Sequence, residues 1–145
     1  MTKFERVKRV LIDGNNMRLF KEYDGNFFAG GITLEKSRED VFVFLDLPED
    51  SFYNVINIVV TTIPADSFDS ALYIANQYND NMRNGYFYVR EGKNRMDDIR
   101  IDYHNVYTAF AEDFNEYFYN DLLIGTLNEL DNSNALKEFM KLKWS

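Results

Sequence analysis

The sequence predicts an α+β domain, an antiparallel sheet of about five strands packed by helices in the order α-β-β-β-α-β-β-α-α. Three observations predict it. The apolar period switches repeatedly between helical spacing and two-residue alternation. The strands fall into two meanders instead of alternating one by one with helices. The chain has 145 residues, 46% hydrophobic and 17% aromatic, enough for a filled core and too apolar for intrinsic disorder. No repeat, low-complexity tract or Pro/Ser-rich linker divides it, so residues 1–145 read as one domain.

Phe4, Val7, Val10 and Leu11 form an apolar helical stripe, and the Asp-Gly-Asn-Asn run at 13–16 stops it. Residues 17–23 read as a helical turn or as an extended piece, and 24–26 are a turn signal. Residues 27–35 and 41–47 are β-branched and aromatic and read as a hairpin. Val41, Val43, Leu45 and Leu47 share one face of its second strand, and Phe42, Phe44 and Asp46 the other. Gly30 and Gly31 suggest a bulge or close packing.

A third strand spans 52–63, with Ile56, Ile58 and Val60 alternating against Val55, Asn57, Val59 and Thr61. Both its faces are apolar over 58–60, as in a central strand covered on both sides. Pro64 ends it. Asp66 or Ser67 then caps a helix with the stripe Phe68, Ala71, Leu72, Ala75 and Tyr78. Asn84-Gly85 closes that segment. A second hairpin follows, with Phe87 and Val89 on one face, a turn at 92–94 and a return over 95–105. From about residue 107 a helix is expected, with the ladder Phe110, Phe114, Phe118 and Leu122 flanked by Tyr107, Ala111 and Tyr117. Leu123, Leu127 and Leu130 extend it. Residues 131–134 break it and cap a last short helix that docks through Leu136, Phe139 and Met140.

The net charge of −8 is unevenly spread. Residues 1–23 carry six Lys/Arg against three acids, and the remainder ten against twenty-one. An acidic body repels phosphate backbones, so no direct nucleic-acid partner is expected. The basic start is a partner-binding helix or a solvated helix face. Cysteine is absent, which excludes disulfides and thiolate metal sites and suits a reducing cytosol. No apolar run reaches the length of a membrane span, and the N-terminus lacks a secretory h-region. A cytoplasmic protein with no membrane partner is the expectation.

Three stretches carry a family resemblance: Phe-Val-Phe-Leu-Asp-Leu-Pro-Glu-Asp at 42–50, the run over 71–91 with Asn76 and Asn79 leading into a Gly-aromatic strand, and 95–105 before the closing helix. With the element order, residues 28–130 resemble the YbjN-type family, described as bacterial sensory-transduction regulators. Residues 131–145 are then a C-terminal helical extension. The resemblance implies a fold like that of type III secretion chaperones, a dimer, and no catalytic motif. Such chaperones bind extended client segments along apolar grooves.

Catalytic signatures are few. There is no phosphate-binding glycine loop and no nucleophile elbow. The segment 95–105 concentrates three aspartates with the only histidine of the chain. Alternation places Met96, Asp98, Arg100, Asp102 and His104 on one face and Ile99, Ile101 and Tyr103 on the other. Asp98, Asp102 and His104 are a legitimate ligand set for a metal-dependent hydrolase. Their steps of about 6.6–7 Å are long for one ion, and Arg100 between the acids favours ion pairing on a solvated strand face. No catalytic residue, metal or cofactor is assigned. Tyr117, Tyr119 and Trp144 are the candidate interface residues, because amphipathic aromatics anchor interfaces.

The expected function is a non-enzymatic, chaperone-like protein-binding or regulatory module. It binds a protein client or itself, as a homodimer, through apolar and aromatic surface. The alternative is an acidic decoy that occupies a nucleic-acid-binding protein, from ten acids against two bases over residues 24–82.

Overall fold

Two-residue alternation gives the sheet two chemically different faces, and the helices are matched to one of them. The computed structural model describes residues 2–14, 20–23, 27–49, 52–93, 98–108 and 117–144. Its strands are β1 (Lys21–Tyr23), β2 (Phe27–Thr33), β3 (Asp40–Asp46), β4 (Tyr53–Ile63), β5 (Tyr86–Arg90) and β6 (Ile99–Thr108). They lie in the order β1-β2-β3-β4-β6-β5, and each neighbouring pair is antiparallel. Helix α1 (Lys3–Lys8) runs on into a π-helical turn at Arg9–Gly14. Helix α2 (Phe68–Asn79) lies between β4 and β5. A π-helical turn at Phe118–Leu123 leads into α3 (Ile124–Asn132), and α4 (Asn134–Lys143) follows. The expected α+β class holds, with six strands in place of about five. The added strand is β1, from the segment that read either way. Three residues are too short to show a period, and pairing with β2 is what makes them a strand.

The inner face is the core. Val43 of β3 lies opposite Ile58 of β4, which lies opposite Tyr103 of β6, which lies opposite Phe87 of β5. All four are buried, as are Phe28, Leu45, Ile56 and Ile101 on the same face. Burying each such side chain is worth about 1.5–3 kcal/mol. The helices reach this face through specific contacts. Phe4 of α1 stacks on Phe28 with ring centroids 4.3 Å apart. Phe139 of α4 meets Phe87 at 5.1 Å, and Phe118 meets Tyr107 at 6.0 Å. Among the described residues no helix is long and apolar enough to cross a membrane.

Three polar clamps fix the helices to the sheet. Asn79 at the end of α2 accepts from Phe87 N–H at 2.6 Å and donates to the Phe87 carbonyl at 3.1 Å. Glu129 of α3 accepts from the N–H groups of Arg83 and Asn84 and from the Tyr103 hydroxyl. Asp131 accepts from the N–H groups of Lys36 and Ser37, at 2.7 and 2.8 Å, in the β2–β3 connection. Burial works to raise the Asp131 carboxyl, but the Lys36 and Ser37 donors and the Lys36 charge outweigh it, so its pKa is lowered.

Several expectations need correction. Strand β4 carries a bulge between Val59 and Thr61. The extra residue shifts the phase, so Ile56 and Ile58 face inward before it, and Thr61 and Ile63 after it. The apolar run at 58–60 therefore reflects a bulge, with Val59 half-buried on the other face, and not a strand covered on both sides. Strand β2 keeps regular register through Gly30 and Gly31, so no bulge lies there. Ser67 occupies the N-cap of α2, but no side chain bonds there. The buried stripe of α2 is Ala71, Ile74 and Ala75, while Leu72 is exposed. Tyr107 belongs to β6, which continues to Thr108, and not to the closing helix. Phe110, Ala111 and Phe114 lie outside the described residues. Phe118, Leu123, Leu127 and Leu130 are buried as expected, as are Leu136, Phe139 and Met140 of α4. Ser133 caps α4 by accepting from Ala135 N–H.

Gly85 marks a close approach of the chain to β6. A Cβ there would sit 2.7 Å from the His104 carbonyl oxygen and 3.1 Å from Tyr103 Cζ. Gly85→Ala should therefore destabilise the fold by about 1–3 kcal/mol in urea unfolding. An unchanged midpoint would show that β5 and β6 are not held this tightly. Asp131→Ala should cost about 1–3 kcal/mol near neutral pH, by leaving its donors unpaired. A lowered native pKa means that this contribution is complete above the ordinary carboxyl value of 3.8 and is lost as pH falls from there through the lowered native value. The gap between wild type and variant should shrink on acidification below that value, and a gap independent of pH would contradict the role of the charge.

Candidate functional site

The outer face of the sheet holds the unusual chemistry. Its residues lie in cross-strand rows. Phe44, Asn57, His104 and Tyr86 form one row, and Phe42, Val59, Asp102 and Tyr88 the next. Beyond them Arg90 of β5 lies directly opposite Arg100 of β6. Like charges directly opposite each other destabilise a strand pair. Asp102, one step along the same face, resolves the repulsion. Its Oδ2 accepts from Arg90 Nε at 2.6 Å and Arg100 Nη2 at 2.8 Å. It also accepts from Asn57 Nδ2 at 3.2 Å. Asp102 is 0% exposed, and an unpaired buried carboxylate would cost several kcal/mol. The Arg90 guanidinium also sits over the Tyr88 ring, 4.8 Å from its centroid.

The network assigns a histidine tautomer. Asn57 turns its amide nitrogen to Asp102, so its Oδ1 is an acceptor facing His104 Nδ1 at 2.8 Å. The proton therefore sits on Nδ1, and Nε2 keeps a lone pair. The ring lies edge-on to Tyr86 at 5.5 Å. Burial lowers the His104 pKa, as does the Arg90 charge, while Asp102 opposes them less strongly. His104 is thus a neutral acceptor at neutral pH.

Asn57, Arg90, Arg100 and His104 line a cavity of about 260 Å³ whose remaining walls are Phe44, Val55 and Asp46. Asp102 Oδ1 and Arg100 Nε are buried and have no hydrogen-bond partner among the described residues. Around the cavity the face is aromatic and open: Phe42 is 42% exposed, Tyr86 43% and Tyr88 46%, and Val106 is also exposed. Two guanidinium groups, a neutral imidazole and apolar walls suit polar recognition inside a hydrophobic contact.

Of the sequence-predicted set, Asp102 and His104 come together through Asn57, and Asp98 does not join them. Asp98 is exposed and precedes β6, roughly 20 Å along the strand from His104. The expected ion pairing of Arg100 is present. The solvated face is not, at Asp102, because the two arginines seal it. Among the described residues no group of three or more His, Asp or Glu is placed to hold a metal ion. Tyr117 is exposed, and the side chain of Tyr119 lies outside the described residues. Trp144 is exposed beside a second cavity of about 730 Å³, formed by α4 and the β2–β3 connection, with Lys36, Leu136, Lys137 and Met140 in its walls.

Arg90, Asn57, Phe42, Tyr86 and Tyr88 were not singled out from the sequence. A signal was present in Tyr-Phe-Tyr-Val-Arg at 86–90, where Tyr86, Tyr88 and Arg90 must share the face opposite Phe87 and Val89. What the sequence lacks is the register that sets Arg90 against Arg100 and Asn57 against His104. No protein-family model matches this chain, and no curated protein matches it in sequence.

The single histidine makes the network directly observable. Its ring resonances should titrate with a pKa below 6.5. Because the native pKa is depressed, the His104 contribution lowers stability as pH falls through 6.5 and levels off below the native value. A titration midpoint at or above 6.5 would contradict the buried, Arg-facing geometry.

Proposed function

We propose that the chain is a non-enzymatic protein-binding module that docks a protein, a client or a second copy of itself, on the outer face of its sheet. The observation that carries this reading is the set of exposed aromatics Phe42, Tyr86 and Tyr88, in two adjacent rows on the face opposite to the one the helices pack against. Large exposed apolar patches with a polar centre mark interaction sites, and Tyr and Arg are the residues that anchor them. The reading also takes up the resemblance of residues 28–130 to YbjN-type regulators and secretion chaperones. The exposed Trp144 beside the α4 cavity offers a second apolar contact. Arg90 and Arg100 border the aromatic face at one end with positive charge, so docking of a protein is favoured over the acidic-decoy alternative.

Light scattering after size exclusion, with affinity capture, tests this reading. Wild type should form a dimer or retain a defined protein, and a Phe42→Glu, Tyr88→Glu double variant should do neither while keeping its far-ultraviolet spectrum. A monomeric wild type that retains the same proteins as the double variant would end it.

A further inference from the structure

At one end of the outer-face cavity two guanidinium groups share a single carboxylate. Arg90 commits its Nε to Asp102, and Arg100 commits one Nη2. Each guanidinium carries five N–H donors. The others have no protein acceptor among the described residues, and both side chains are 42% exposed. We propose that this end of the cavity is a carboxylate site that receives an Asp or Glu side chain of the docked protein, a reading that deepens the docking function and rests on it.

Four features of the geometry select a carboxylate. Asp102 lies buried under both arginines and fixes them before any ligand arrives, so little ordering is left to binding. The planar guanidinium fork matches a carboxylate bidentately. A volume of about 260 Å³ admits one side chain, with Phe44 and Val55 beside its methylenes. Charge sets the class of anion. Arg90 and Arg100 carry two positive charges against the one negative charge of Asp102, an excess of one at this end, while His104 is neutral and Asp46 lies at the far wall. Such a balance suits a monoanion better than a doubly charged phosphate. Asp46 also repels a second acid at its end, so the partner's acidic residue enters at the arginine end.

The test uses the full chain and the ring signals of His104. The probes are N-acetylglutamate α-amide, which has one side-chain carboxylate, its glutamine counterpart and inorganic phosphate. The glutamate compound should give saturable shifts, the glutamine compound none, and phosphate should bind more weakly. Arg90→Gln should weaken the glutamate compound by about tenfold or more. Arg90→Lys, which keeps the charge and loses the fork, should fall between and serves if Arg90→Gln does not fold. Equal shifts from the glutamine compound, tighter phosphate binding, or no effect of either Arg90 substitution would overturn the carboxylate site. The Phe42→Glu, Tyr88→Glu variant separates the two readings. Saturable glutamate binding in a protein that docks nothing would leave the site standing and remove the docking function. Docking without any glutamate response would remove this site alone.

Discussion

Strand β6 serves two masters with one alternation. Ile99, Ile101 and Tyr103 must face the helices, and the same two-residue step sends Arg100, Asp102 and His104 to the opposite side. Slipping the register by one residue would bury an arginine and expose the core. The polar clamps guard that register from the inner side. Glu129 holds the Tyr103 hydroxyl, and Asn79 holds the backbone of Phe87, the cross-strand neighbour of Tyr103. The Asp102 network guards it from the outer side, by joining β4, β5 and β6 through one carboxylate oxygen.

The bulge in β4 sits beside this network. Val59 lies opposite Asp102, and Thr61 opposite Ile101, so the extra residue falls where the polar cluster begins. Bulges raise local twist and re-aim side chains, and they gather near functional sites. Here the inward residues change parity along β4, and the core stays apolar on both sides of the bulge. The outer face stays half-open. Its exposed aromatic rows and its buried carboxylate depart from the pattern of an ordinary solvated sheet face, and such departures are commonly found at functional sites.

The long-period features of the fold are readable in the chain. The alternation in 41–47 and 86–91, the Pro64 stop, the Ser133 cap and the leucine positions of 123–130 all follow from local chemistry. Strand β1 is not readable, because three residues next to a turn carry no period of their own. The β4 bulge is invisible for a related reason, since one residue inserted in an apolar run mimics a strand buried on both faces. In the candidate site, Asp102 and His104 are legible as neighbours on one face, and Arg100 as a charge partner. Arg90 and Asn57 are not, because their roles depend on cross-strand register over separations of 12 and 47 residues. Two arginines directly opposite each other would look like an error if the buried aspartate beneath them were not known.

The account turns on one sheet face being covered and the other bare. Oxidative side-chain footprinting of the purified chain across a dilution series measures this directly. At high dilution Phe42, Tyr86 and Tyr88 should be modified readily, while Phe87 and Tyr103 on the inner face should stay protected. Protection of Phe42, Tyr86 and Tyr88 equal to that of Phe87 at every concentration would mean that the chain covers its own outer face, and would contradict the account.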